Sequence, residues 1–329
     1  MAPLAGIRHR TPSLTMPKPA LILDFDGTIT RADTLSTLAA ALLAARRSPP
    51  PPSASPWPAL TAAYLAARAA APGSPPAQRT TLAAELAFQA SLRPVELASV
   101  ARVEASGVLA GPGDAALRAL GRAAVADGRV CVRDGFGALV RAVTSGGWWV
   151  AVVSVNFSGA WIRGVVGSAI AEGTAVPRLC ANRIVEAKLR GPLEGDGGLG
   201  AGERLLLTAD DKAWAMARLL ALGEAEAEAE GKRGDSGPGA GEGTEARGMC
   251  VYVGDSTTDL ECLLTANKGI AMAQGEDQGG LMQTLRRIGL QVPHVSECEG
   301  QSRLAWARDF TEILQSGLLD RWRAEWTAR

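Results

Sequence analysis

Two pairs of aspartates have a spacing that suits chemistry. In Asp24-Phe25-Asp26-Gly27-Thr28 the carboxylates sit one residue apart, directly after the apolar run Ala20-Leu21-Ile22-Leu23. Side chains at i and i+2 leave a strand end on the same side. One such carboxylate can attack phosphorus as a nucleophile while the other handles protons. Gly27 permits a sharp departure of the backbone. The second pair lies in Gly254-Asp255-Ser256-Thr257-Thr258-Asp259, again just past a short apolar run, Met249 to Val253. Two acids there, with no His or Cys beside them, favour a hard cation bound through oxygen, Mg2+ rather than zinc. Each pattern has a plainer reading: a surface turn or calcium loop for the first, a helix N-cap at Asp255 or Ser256 for the second.

Two further positions can serve an anion. Ser154 ends the run Trp148 to Val153, and its hydroxyl, with the backbone amides of Val155 and Asn156, can donate to phosphoryl oxygens. Lys212, in Thr208-Ala209-Asp210-Asp211-Lys212 at a predicted helix start, can neutralise such a group and hold an ionised nucleophile. Lys188 competes with it for that role.

The elements that must position these residues follow from pattern. Buried strands are predicted at Ala20 to Leu23, Gly147 to Val153, Met249 to Val253 and Gly269 to Met272, with a weaker one at Leu179 to Val185. Helical stretches lie between them, notably Ala213 to Leu222 and Leu260 to Ala266. The alternation predicts an α/β fold, a Rossmann-like parallel sheet with flanking helices. From 33 to 127 the leucines and alanines recur at helical spacing, broken by proline clusters at Pro49 to Pro58 and Pro72 to Pro76. This region reads as a helical cap inserted after the first strand. The core then comprises 18–32 and 128–329, after a disordered tail at 1–17. Gly191 to Gly202 reads as a loop. The Glu-, Ala- and Gly-rich segment 224–248 reads as a disordered insertion whose first part can extend a helix. In Ser302 to Trp326, the residues Trp306, Phe310, Ile313, Leu314 and Leu318 predict one amphipathic helix. Glu85, Gln89 and Arg93 lie at helical spacing, either on an inward face of the cap or, the preferred reading, as a solvated stripe.

Bulk composition narrows the classes. The 329 residues are 47% hydrophobic with a formal net charge of zero. That permits a sizeable core and gives no reason to expect nucleic acid as a partner. No run of 18 apolar residues exists, so no membrane span is expected. Five scattered cysteines and two histidines fit reduced thiols and offer little for a zinc site or a His-based triad. The expectation is a cytoplasmic protein; the basic N-terminus, with Arg8, Arg10 and Lys18 and no acid, leaves a mitochondrial destination as the alternative.

Taken in order, Asp24 and Asp26, then Ser154, then Lys212, then Asp255 and Asp259, the motifs resemble those of the haloacid dehalogenase-like (HAD) superfamily. The resemblance covers residues 20 to 31 and about 130 to 275. The phrase from Gly254 to Leu260, followed by Cys262-Leu263-Leu264, is similar to a phosphoserine-phosphatase-like branch with a type-1 helical cap. That branch also holds thiamine-monophosphate phosphatase domains and fungal homologues. The resemblance implies a Mg2+-dependent phosphomonoester hydrolase acting on a small phosphorylated metabolite through an aspartyl-phosphate. It implies Asp24 as nucleophile and Asp26 as general acid and base. It implies Thr28, Ser154, Val155, Asn156 and Lys212 around the phosphate, and metal held by Asp24, Asp26 through its backbone carbonyl, Asp255 and Asp259. Within the superfamily, Asp26 sets a phosphatase or phosphomutase apart from a dehalogenase. A phosphomutase and a non-catalytic scaffold on the same fold are the alternatives.

Overall fold

The computed structural model describes residues 18–46, 56–192, 204–234, 248–299 and 301–328. The expected tail at 1–17, most of the first proline cluster, most of the 191–202 loop and residues 235–247 lie outside them.

The first strand, β1 (Ala20–Leu23), is buried along its whole length. Helices α1 (Leu35–Ala44), α2 (Trp57–Ala69), α3 (Leu82–Ser91), α4 (Arg93–Ala105) and α5 (Asp114–Ala126) follow without an intervening strand. Proline starts two of them: Pro58 lies in the first turn of α2 and Pro94 in that of α4, where a missing N–H costs nothing. Then come α6 (Phe136–Ser145), β2 (Trp149–Ser154), α7 (Gly159–Ala169), β3 (Arg178–Ala181) and a hairpin of β4 (Arg183–Val185) and β5 (Lys188–Arg190). The chain continues through α8 (Ala209–Gly234), β6 (Cys250–Gly254), α9 (Leu260–Thr265), β7 (Lys268–Met272), α10 (Gly280–Arg287), β8 (Leu304–Ala307), α11 (Phe310–Ser316) and α12 (Leu318–Thr327).

The α/β expectation holds. Six strands form one parallel sheet in the order β3-β2-β1-β6-β7-β8. Both faces are covered, as near-continuous apolar strands require. The alternating side chains divide the core: Leu21 and Leu23 face one layer, Ala20 and Ile22 the other. Counted within the sheet, the order is 3-2-1-4-5-6, so the direction of winding reverses between β1 and β6. Ligands of open α/β sheets gather at such a switch point, outside the carboxyl ends of the strands.

The helical region after β1 is consistent with a cap, but its last helix sits on the core. Helix α5 packs along α7. Gly121 and Gly164 make that approach possible: a Cβ on Gly121 would meet Trp161 O at 2.5 Å, and one on Gly164 would meet Arg118 O at 2.2 Å.

Two expectations need correction. The predicted single helix over Ser302 to Trp326 is a strand and two helices, with Trp306 in β8. The apolar positions keep helical spacing through α11, but β8 pairs with β7, and Gly317 breaks the helix in a left-handed conformation, φ 63°. The first part of 224–248 does extend a helix, α8, which runs to Gly234. The weak strand Leu179 to Val185 divides at Asn182 into β3 and β4, because the buried Asn182 side chain ties down Leu206 on both its N–H and C=O.

Candidate active site

The carboxyl ends of β2, β1 and β6 lie side by side, Leu23 pairing with Val152 on one flank and Val253 on the other. Asp24 therefore leaves the sheet between Ser154 and Asp255. Its N–H still donates to Val253 O at 2.9 Å, which fixes the backbone at the point of exit. Gly27 then turns with φ 76°, and a Cβ there would fall 2.1 Å from Asp255 Oδ2. Only glycine allows the loop to cross over that carboxylate.

Lys212 joins the two aspartate pairs. The start of α8 aims it inward, and it is fully buried. Its Nζ lies 2.8 Å from Asp24 Oδ1 and 2.7 Å from Asp259 Oδ1. Burial alone would push this ammonium down, but the two carboxylates outweigh it and hold it above its ordinary value, so Lys212 is a cation. Lys188, the competing candidate, is exposed in the β4–β5 hairpin.

One ligand oxygen each from Asp24, Asp255 and Asp259 lies within 4.8 Å of the others. Burial, and then Asp259, pushes Asp24 well up; Lys212 works against this, and Asp255 adds to the upward push. Burial and Asp259 push Asp255 up to about 7. One lysine does not balance this group. The excess negative charge, presented entirely by oxygen, fits a divalent hard cation such as Mg2+. The carboxylates differ in their readiness to bind it. Asp259 accepts from Lys212 and the Tyr252 hydroxyl on Oδ1, and from the Ser256 amide and hydroxyl on Oδ2. Asp255 accepts from the Thr28 hydroxyl at 2.8 Å on Oδ1 alone. Asp24 and Asp255 thus retain an open oxygen each among the described residues, whereas Asp259 orients its neighbours.

Asp26 stands beside this cluster in a different setting. Its Oδ1 accepts from the Thr34 amide at 2.8 Å and hydroxyl at 2.7 Å, and its Oδ2 accepts from Asn156 Nδ2 at 2.7 Å. Burial, then the neighbouring Asp33, pushes the carboxyl up to about 6 against those hydrogen bonds. A carboxyl in that range exchanges protons near neutrality.

The remaining expected residues divide. Ser154 is buried, its Oγ accepts from the Asn156 amide at 3.1 Å, and its own proton has no acceptor among the described residues. The Asn156 amide donates to Ser154 Oγ and its side chain holds Asp26. The Thr28 amide donates to Phe25 O and its hydroxyl to Asp255, so it steadies that carboxylate. Val155 lines a cavity beside the site.

Sequence reasoning missed Thr34, Tyr252 and Arg133. Arg133 is buried and donates to Gly27 O, to Thr28 O at 3.0 Å and to Arg308 O at 2.7 Å, which clamps the Asp24–Thr28 loop. Tyr252 carried a weak signal, being a phenol inside an otherwise apolar strand that leads into Asp255. Arg133 and Thr34 carried none.

No family model matches the sequence, and no curated protein matches it. Solved structures do. The chain is similar to a phosphoserine phosphohydrolase-like protein from Francisella tularensis, at 13% identity and TM-score 0.46, over 90% of this chain and 98% of that one. It is similar to a substrate-bound phosphoserine phosphatase at 17% identity and TM-score 0.43, over 91% and 97% of the two chains. A HAD family hydrolase from Salmonella enterica matches at 14% identity and TM-score 0.41, over 84% and 68%. These likenesses agree in kind with the resemblance read from the motifs; at TM-scores below 0.5 they add no weight to it.

Proposed function

We propose that the protein is a Mg2+-dependent phosphomonoester hydrolase that works through an aspartyl-phosphate on Asp24. The observation that carries this reading is the uneven charge at the switch point. Buried Asp24 and Asp259 share one lysine with half-buried Asp255 crowded beside them, and a fourth carboxyl, Asp26, is held apart with its pKa pushed up to about 6.

In the first half-reaction Asp24 Oδ attacks phosphorus and the ester P–O bond breaks. The leaving alkoxide takes the proton of Asp26. In the second, a water gives its proton to the Asp26 carboxylate as its oxygen attacks phosphorus, the Asp24–phosphate bond breaks, and inorganic phosphate leaves. Asn156 and Thr34 keep Asp26 on the alcohol side throughout. Lys212 neutralises the phosphoryl oxygens while staying bound to Asp259, and Ser154 has its proton to donate. Asp24 and Asp255 would hold Mg2+, whose charge, when bound, offsets the repulsion between a phosphate dianion and an anionic nucleophile.

Asp26 gives the sharpest test. An Asp26→Ala variant should lose about 100- to 10,000-fold on a benzyl phosphate, whose alkoxide needs a proton. On 4-nitrophenyl phosphate, whose leaving group needs none, the first half-reaction should survive as a burst of nitrophenol. Equal losses on both esters, with no burst, would remove Asp26 from its role.

A further inference from the structure

Beside the aspartates, the cap helices and the strand ends enclose a cavity of about 320 Å3. Three of its lining residues tie it to the reaction centre: Val155 follows Ser154, Thr258 precedes Asp259, and Asp33 precedes Thr34, which holds Asp26. The cavity thus adjoins the reaction centre through the chain neighbours of its residues. Its walls are mostly apolar, with hydroxyls from Ser36, Thr61, Ser99 and Thr258 among them. Trp57, Leu60, Val100 and Val103 reach it from α2 and α4 at helical spacing, and Phe157 and Leu207 reach it from the core.

The charged groups of the lining are Asp33 and Glu96; no Lys, Arg or His is among them. Glu96 Oε1 accepts from the Tyr64 hydroxyl at 2.8 Å and lies 3.5 Å from Arg68, while Oε2 has no partner among the described residues. A carboxylate or second phosphate on the substrate would meet Asp33 and Glu96 here, and the cation beside them, Arg68, is engaged with Glu96 and the Tyr64 hydroxyl.

We propose, resting on the phosphatase reading above, that the alcohol part of the substrate has an apolar, ring-sized body and carries no anionic group. A cavity of roughly 150 Å3 holds a benzene ring, so this one admits one or two fused rings. The apolar walls supply the affinity, and Glu96 repels anions and accepts a hydrogen bond from a neutral or cationic tip.

The test uses the full chain with Mg2+ and five primary alkyl phosphates of similar leaving-group basicity: benzyl, 4-carboxybenzyl and 4-(aminomethyl)benzyl phosphate, O-phosphoserine and glycerol 3-phosphate. Benzyl phosphate should exceed phosphoserine and glycerol 3-phosphate in kcat/KM by about 10-fold or more, the gain expected of an apolar pocket. The 4-carboxy group should cost about 10-fold, mostly in KM, and the 4-aminomethyl group should cost little. Glu96→Gln should narrow the ratio between the aminomethyl and carboxy esters. Phosphoserine or glycerol 3-phosphate turned over as well as benzyl phosphate would overturn the proposal and leave the phosphatase reading standing. Indifference of the carboxy-to-aminomethyl ratio to Glu96→Gln would remove Glu96 from specificity. Release of phosphate from none of the five, by folded protein, would overturn both readings together.

Discussion

Among the described residues, two clusters combine carboxylates with cations, and they are balanced in opposite ways. At the strand ends, three aspartates crowd together; Lys212 pairs with Asp24 and Asp259, and Asp255 feels Lys212 and Arg133 only at longer range. At the seam between cap and core, Glu85 alone faces two guanidinium groups, Arg79 at 2.7 Å and Arg287 at 2.6 Å, and also accepts from Gln89. Burial pushes Glu85 up, but the Arg79 hydrogen bond, then Gln89, then Arg287 more than offset it and hold the carboxyl below its ordinary value. A nearby carboxylate, Asp211, is likewise satisfied, by Arg93, Arg204 and the amides of Leu207 and Thr208. The same residue types give a fastener where the charges are matched and a poised site where they are not.

The comparison is broken most severely at Asp24. Asp24→Asn should reduce phosphate release by at least about 1,000-fold, the scale of loss of a covalent nucleophile. The same change removes one of three crowded like charges. Without a divalent cation, the variant should therefore melt about 2 °C or more above the parent chain. Full turnover by Asp24→Asn, or a lower melting temperature in the metal-free protein, contradicts the reading of the cluster as over-charged. Mg2+ should act on the same imbalance. At a hundredfold excess over its dissociation constant it should stabilise the parent by about 2.7 kcal/mol, and the Asp24→Asn variant by clearly less.

The balanced cluster should answer differently. Glu85→Gln leaves Arg79 and Arg287 buried without their anion, and a broken buried pair costs about 3 kcal/mol or more. The loss should appear as a lower urea midpoint, read from the fluorescence of the tryptophans. Arg287→Met, which removes a cation but leaves Arg79 on Glu85, should cost less. A Glu85→Gln variant as stable as the parent would show that the seam is not held by this cluster.

The asymmetry explains what was legible in the sequence. Asp24, Asp26, Asp255 and Asp259 were readable because a strand end and a turn bring each pair together locally, and Lys212 because it opens a helix. The short apolar runs likewise marked four strands of the six-stranded sheet outright and β3 within a weaker fifth. Balance is a long-range property and was not readable. Glu85, Gln89 and Arg93 have the spacing of a solvated helix face, yet Glu85 and Gln89 are buried and Arg93 pairs with Asp211. The partner that overturns the solvated reading, Arg287, lies 202 residues further on. Arg133 clamps the Asp24–Thr28 loop from 105 residues away. Strand β8 was hidden because its tryptophan falls in phase with the helix that follows.

The smallest effect expected is a pair of opposite pH slopes. Glu85 and Asp211 have depressed folded values, so the unfolded chain binds more protons than the folded one below their ordinary values of 4.5 and 3.8. Their stabilisation is complete above that range and fades as pH falls through the folded values. Asp26 and Asp255 are raised, to about 6 and about 7, so the folded chain binds more protons than the unfolded one from about pH 4 to about pH 7. Metal-free stability should therefore fall as pH rises through that window. Saturating Mg2+ favours the ionised carboxylates and should flatten the slope. Urea midpoints at unit pH steps from about 3 to about 8, with and without Mg2+, measure both slopes at once. Glu85→Gln should reduce the acid limb alone, and Asp24→Asn, by relieving Asp255 of a neighbouring charge, should reduce the neutral limb alone. If either variant altered both limbs equally, the two clusters would be one coupled network rather than a balanced seam beside an unbalanced site.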